Sequence, residues 1–162
     1  MKDMIAERGT RMQRFLALLL AGLLWMNASH AQTIGAEADG TTLTAFLEGI
    51  TADTYVVPEG VVTLEGNEDC EIGTLVLPST LTGGYLNAFY DSTIVRYEVA
   101  EGNTALQAID GVLFSEDGKT LLAYPNAAEA THYTVPAGVI RIAERAFANN
   151  IYLQSVSLPM GL

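Results

Sequence analysis

The stretch YTVPAGVIRIAERAFANNIYLQSVSLP, residues 133–159, holds one short phrase twice: a hydrophobic alternation that ends on proline, at Pro136 and again at Pro159. Searching outward from it for self-similarity comes before any other reading, because a missed repeat misassigns the whole fold. The phrase returns as YVVPEGV (55–61), LVLPSTL (75–81) and YEVAEGN (97–103). Aligned on Pro58, Pro78, Ala100, Pro136 and Pro159, the chain resolves into columns. One residue before the marker stand Val57, Leu77, Val99, Val135 and Leu158. Three before it stand Tyr55, Leu75, Tyr97, Tyr133 and Val156. Six before it stand Ala52, Ile72, Ile94, Ala130 and Leu153. Three after it stand Val61, Leu81, Asn103, Val139 and Leu162, and two after it Gly60, Thr80, Gly102, Gly138 and Gly161.

Each column has a physical meaning. Positions −1 and −3 alternate with −2 and −4, the period of a strand with one face buried. Proline ends the strand because it has no N–H for the ladder. Glycine two residues later suits a turn that needs positive φ. Ala146-Phe147, matched by Ala88-Phe89, sets a large ring on the returning limb, where it fills space between coils. A single repeat cannot bury its apolar face, so the units must stack. The markers are separated by 20, 22, 36 and 23 residues, and all but the third fall in the leucine-rich-repeat range. An ordinary antiparallel β-domain explains the alternation but not the recurring Pro-x-Gly and Ala-Phe columns.

The long interval hides an insertion. Val112-Leu113-Phe114 and Leu121-Leu122-Ala123-Tyr124 are strand-like runs around the turn Ser115-Glu116-Asp117-Gly118-Lys119. A hairpin over 109–125 is expected. Ahead of the repeats, Thr41-Thr42 precedes an apolar stripe at Leu43, Phe46, Leu47 and Ile50, which predicts a short helix capping the first coil over residues 32–54.

Residues 133–159 and the segment IDGVLFSEDGKTLLAYP (109–125) resemble the BspA-like leucine-rich-repeat family of bacterial surface and secreted proteins. The resemblance runs from about Tyr55 onward. It implies a mainly β repeat solenoid: a right-handed leucine-rich-repeat coil of about five short parallel strands with an inserted β-hairpin. It also implies a role in adhesion or interaction. The sequence departs from the family pattern in the first coils, with Glu68-Asp69 in place of Ala-Phe and Gly83-Gly84 where an apolar residue is expected.

The first 31 residues read as a signal peptide. Arg8, Arg11 and Arg14 precede an apolar run from Phe15 to Met26, and Ser29-His30-Ala31 offers a cleavage site before Gln32. The apolar run is too short to span a bilayer, so no stable membrane span is expected after cleavage, and the destination is the cell surface, the periplasm or the medium. Those 31 residues hold four basic and two acidic side chains, which leaves four basic against 17 acidic beyond them, a net of −13. Such a surface repels phosphate backbones and excludes nucleic acid as a partner. Cys70 is the only cysteine, so the core rests on packing and not on a disulfide framework.

No catalytic, metal-binding or phosphate-binding motif occurs, so neither enzymatic activity nor a cofactor is expected. The candidate site is the outward ladder of the strands: Thr54, Thr74, Arg96, His132 and Ser155 at position −4, and Val56, Val76, Glu98, Thr134 and Ser157 at position −2. An extracellular protein or glycan is the expected partner. The array stops at Pro159-Met160-Gly161-Leu162 without a recognisable cap. That pattern raises two further expectations: truncation, as a structural fragment of a longer repeat protein or the appendage of a larger exported enzyme, and self-association through the uncapped coil.

Overall fold

A computed structural model describes residues 36–38, 43–48, 51–83 and 91–162. The signal peptide expected over 1–31 and the Ala88-Phe89 pair lie outside these residues. The described chain is a mainly β solenoid of parallel coils. Its first coils are built from β1 (Ala36–Ala38), β2 (Leu43–Glu48), β3 (Thr51–Val56), β4 (Val61–Leu77) and β5 (Asp91–Val99).

β4 carries the logic of the coil. At 17 residues it is far longer than an ordinary strand, and it belongs to two limbs. Its first half lies parallel to β2, with Val61 opposite Leu43 and Glu68 opposite Glu48. Its second half lies parallel to β3, with Thr54 opposite Thr74 and Val56 opposite Val76. Beyond it β5 continues the second ladder, with Thr74 opposite Arg96 and Val76 opposite Glu98. The pairing with β5 shifts register between Glu68 and Glu71, where the strand passes from one limb to the next. The irregular first coils expected from the sequence are therefore present as breaks in register.

The predicted helix is corrected to strand: Leu43–Glu48 is β2, parallel to β4 and antiparallel to β1. The reason is tertiary. A helix this short is marginal on its own, whereas the strand satisfies its backbone groups on both sides through the ladder. The glycine that looked misplaced has a related explanation. Gly83 forms a parallel bridge with Thr63, and its carbonyl accepts from the Leu64 amide at 3.4 Å, extending the first limb by one coil.

The turns follow the sequence columns. The residue three after each marker donates its amide to the marker's carbonyl at Pro58, Pro78, Ala100 and Pro136. Gly60, Gly102, Gly138 and Gly161 all have positive φ, as the column requires. In the one turn without glycine, the Thr80 hydroxyl accepts from Gly60 N at 2.9 Å and donates to Val61 O at 2.8 Å, bracing the turn against the coil before it. Glu59 adds a second brace by accepting from the amide and hydroxyl of Ser79.

The inward columns form the core. Ile72, Leu75, Leu77, Leu81, Ile94 and Tyr97 are essentially inaccessible to water, together with Cys70. The coils approach closely at Gly73, where an added Cβ would lie 2.4 Å from the carbonyl oxygen of Asp53. Only glycine permits that approach.

The insertion is larger than a hairpin. β6 (Leu106–Ile109), β7 (Val112–Ser115) and β8 (Thr120–Ala123) form an antiparallel meander, and β10 (Arg141–Ile142) joins β8 in parallel. The loop between β7 and β8 is the turn expected, with Asp117 accepting from the Ser115 hydroxyl at 2.7 Å and from Lys119 N at 3.0 Å. The insertion also closes the outer edge of β5. Tyr97 N donates to Gly111 O at 2.9 Å, Ala127 N donates to Ile94 O at 3.0 Å, and the Asn126 side chain accepts from Ile94 N at 2.8 Å. The five expected parallel strands thus exist, but as two ladders. β3, β4 and β5 form the first; β9 (His132–Thr134) and β11 (Ser155–Ser157) form the second. Phe147 fills the space behind the second ladder as predicted, its ring 5.3 Å from that of Tyr124 and 6.1 Å from that of Tyr133.

Candidate functional site

Strand alternation sends Tyr55, Leu75, Tyr97, Tyr133 and Val156 inward and their neighbours outward. The register places the outward residues in rows. Thr54, Thr74 and Arg96 are ladder partners, as are Val56, Val76 and Glu98. On the second ladder His132 faces Ser155, and Thr134 faces Ser157. All ten predicted site residues therefore stand in their expected columns. They form two patches, six residues on the first sheet and four on the second, and among the described residues no strand pairing joins the two.

The first patch mixes small and charged groups. Val56 is 60% exposed, unusually open for valine on a sheet. Thr74 and Val76 are half-buried, flanked by strands on both sides. Arg96 and Glu98, two residues apart on one strand, form an ion pair at 3.5 Å with each side chain about half exposed. Solvent screens such a pair, so it orients the side chains more than it stabilises the fold.

The second patch is a hydroxyl cluster around one imidazole. His132 Nδ1 lies 2.8 Å from the Ser155 hydroxyl, and Nε2 lies 3.3 Å from the Thr134 hydroxyl and 3.4 Å from that of Ser157. All four residues are exposed. A neutral imidazole has one donor and one acceptor nitrogen, so the hydroxyls must orient around it, leaving their remaining donors and lone pairs to solvent or a ligand. A histidine beside a serine also suggests a base and a nucleophile. Nucleophilic catalysis needs a third group to orient the base and a preorganised site for the developing charge. Here the pair stands on the exposed face of a strand ladder, with the hydroxyls of Thr134 and Ser157 beside Nε2. Among the described residues no group of three or more His, Cys, Asp or Glu side chains could hold a metal ion.

Burial shapes the aromatic layer beneath these patches. It pushes the Tyr55 and Tyr97 hydroxyls far above the usual phenol range. Tyr133, under the hydroxyl cluster, is pushed up to about 12, by burial first and then by Tyr124 and Asp110. The Tyr55 hydroxyl is buried with no hydrogen-bond partner.

Sequence reasoning missed one class of positioning residue. Asn103 donates to the carbonyls of Pro78 and Leu81 at 2.8 and 3.0 Å and accepts from the amides of Ala105 and Leu106. Asn150 does the same with Pro125, Ala128, Tyr152 and Leu153. The signal was present as Asn-x-x-Leu-Gln at 103–107 and again at 150–154.

No protein-family model and no curated protein matches the sequence. Two solved structures are similar in fold. One is a leucine-rich repeat protein from Eubacterium ventriosum ATCC 27560, at a TM-score of 0.60 and 23% identity over 68% of this chain and 30% of that one. The other is the pneumococcal vaccine antigen PcpA, at a TM-score of 0.50 and 22% identity over 74% of this chain and 34% of that one. The chain thus spans about a third of the length of each. The repeat columns, the parallel ladders and these two likenesses agree: this chain has the leucine-rich-repeat fold.

Proposed function

We propose that the chain is an exported, non-catalytic leucine-rich-repeat module whose outward strand ladder binds an extracellular protein or glycan. The observation that carries this reading is the cluster of His132, Thr134, Ser155 and Ser157, four exposed polar side chains held in register on adjacent strands. Binding surfaces of repeat arrays are built this way, from side chains repeated along a ladder. Three hydroxyls and an imidazole supply the donors and acceptors that polar partners need. The resemblance to BspA-like surface proteins, the signal-like leader at 1–31 and the likeness in fold to a vaccine antigen support an extracellular setting.

Two measurements test the proposal. Intact mass of the protein recovered from outside the cells is expected to start at Gln32; a retained leader overturns export. Purified protein is then presented to a glycan array and to a panel of extracellular-matrix proteins, beside a His132→Ala, Ser155→Ala variant and an Arg96→Glu, Thr74→Lys variant. Loss of a captured ligand in the first variant supports the second ladder. Loss in the second variant places the site on the first ladder. Capture unchanged in both removes the strand face from the reading and moves the site to the insertion.

A further inference from the structure

The cluster on the second ladder sets three hydroxyls around two ring nitrogens. Nδ1 of His132 faces Ser155 at 2.8 Å, while Nε2 is shared by Thr134 at 3.3 Å and Ser157 at 3.4 Å. A neutral imidazole has one N–H and one lone pair. In either tautomer the lone pair turns one hydroxyl hydrogen inward. Protonation reverses that. Both nitrogens then donate, the hydroxyls accept from the ring, and all three O–H hydrogens are released from it. The four side chains are exposed, so the released donors face outward around a positive charge. Such an array fits an anionic oxygen group, to which charge-assisted hydrogen bonds are about twice as strong as neutral ones. Imidazole is the side chain that makes this change between about pH 5 and 8.

β11 sets no charge against the ring: it brings Ser155, Val156 and Ser157. Within β9 the other titratable group is Tyr133, half-buried on the inward side. The insertion brings Asp110, whose charge acts on Tyr133, and Glu129 stands three residues before His132. On the first ladder Arg96 is engaged by Glu98 at 3.5 Å. The whole chain has a formal net charge of −11. That field repels an acidic protein or a densely charged polymer along its length. A sugar chain with one acidic group brings a single charge to one spot and uncharged hydroxyls elsewhere. Taking the ladder as the binding face, as proposed above, we infer that protonated His132 with Thr134, Ser155 and Ser157 forms an acid-gated subsite for the anionic group, carboxylate or sulfate, of an acidic glycan.

Surface plasmon resonance of the protein expressed from its full sequence, over three immobilised dextrans, tests this. One dextran is unmodified, one sparsely carboxymethylated and one sparsely sulfated. A charged dextran is expected to bind about tenfold more tightly at about pH 5.5 than at about pH 7.5, following the fraction of protonated ring. The unmodified dextran is expected to show no such gain, and the two charged ones separate carboxylate from sulfate. His132→Gln is expected to hold binding at its weaker level at both pH values. Calorimetry of the parent protein at about pH 6.5, in two buffers of different ionisation heat, is expected to show uptake of up to one proton per chain on binding. Four results each overturn the inference: an acid gain that survives His132→Gln, an equal gain on unmodified dextran, no proton uptake, or no binding of either charged dextran. A ligand held equally at both pH values but lost in the His132→Ala, Ser155→Ala variant overturns the gating and leaves the ladder as the binding face. Capture indifferent to every ladder variant removes both.

Discussion

Asn103 and Asn150 make the same four hydrogen bonds in different parts of the array, each tying the carbonyls of an earlier turn to the amides that open the next segment. The amide side chain has two donors and a carbonyl with two lone pairs, and here all four are used. Truncation leaves two carbonyls and two amides without partners. Asn103→Ala is expected to cost about 3 kcal/mol, because Asn103 is buried, and Asn150→Ala about 1–2 kcal/mol, because Asn150 is half-exposed. Urea unfolding followed by circular dichroism measures both. Equal and negligible losses would show that water replaces these bonds.

Gly73→Ala is expected to be the most damaging single methyl addition to the first ladder. The new Cβ meets a backbone oxygen, which cannot swing aside, so β3 and β4 must separate. A loss of about 2–3 kcal/mol is expected, in the range of overpacked cores. Gly102→Ala serves as a comparison. Its Cβ meets nothing within 4 Å, and only its positive φ resists the change, so about 1 kcal/mol is expected.

Tyr55→Phe is expected to leave stability within about 0.5 kcal/mol of the parent, or to raise it. The Tyr55 hydroxyl is buried without a partner, so removing it removes an unpaired polar group and keeps the ring. Thermal melts of the two proteins give the comparison. A clear loss would mean that the hydroxyl has a bridging water.

Alkaline pH should unfold the protein through its tyrosines. The folded-state pKa of Tyr133 is about 12 against an ordinary value of 10.0, and Tyr55, Tyr97 and Tyr124 are raised as well. Each favours its neutral form in the fold. The stability they contribute is complete below pH about 10 and declines as pH rises toward 12, because the unfolded chain releases these protons first. Urea midpoints measured from pH 8 to 12 are expected to fall steeply only above about 10. A flat profile would contradict the buried environment.

Much of this was legible in the sequence, because a column of residues reports a three-dimensional neighbourhood. The alignment on Pro58, Pro78 and Ala100 set Thr54 beside Thr74 and Arg96, and the ladder has that register. The outward site residues followed from it. What the sequence hid were interactions without a local period. The stripe at Leu43, Phe46 and Leu47 fits a helix, and only its pairing with β4, a coil away, makes it a strand. β10 is two residues long and exists only because β8 lies alongside it. Asn103 sat in an otherwise apolar column, and its role became clear only when its partners at Pro78 and Leu81 could be seen.

The closure of β5 by the insertion has a consequence for solubility. A bare strand edge is a template for any passing chain. Gly111, Ala127 and Asn126 occupy the groups of Tyr97 and Ile94 that would otherwise recruit one. The insertion is therefore a guard on the growing end of the first ladder as well as an ornament of the repeat. A chain spliced from Val99 directly to His132 would trade that guard for a longer sheet, and its fate would depend on how quickly the next strand reached the edge before a neighbouring molecule did.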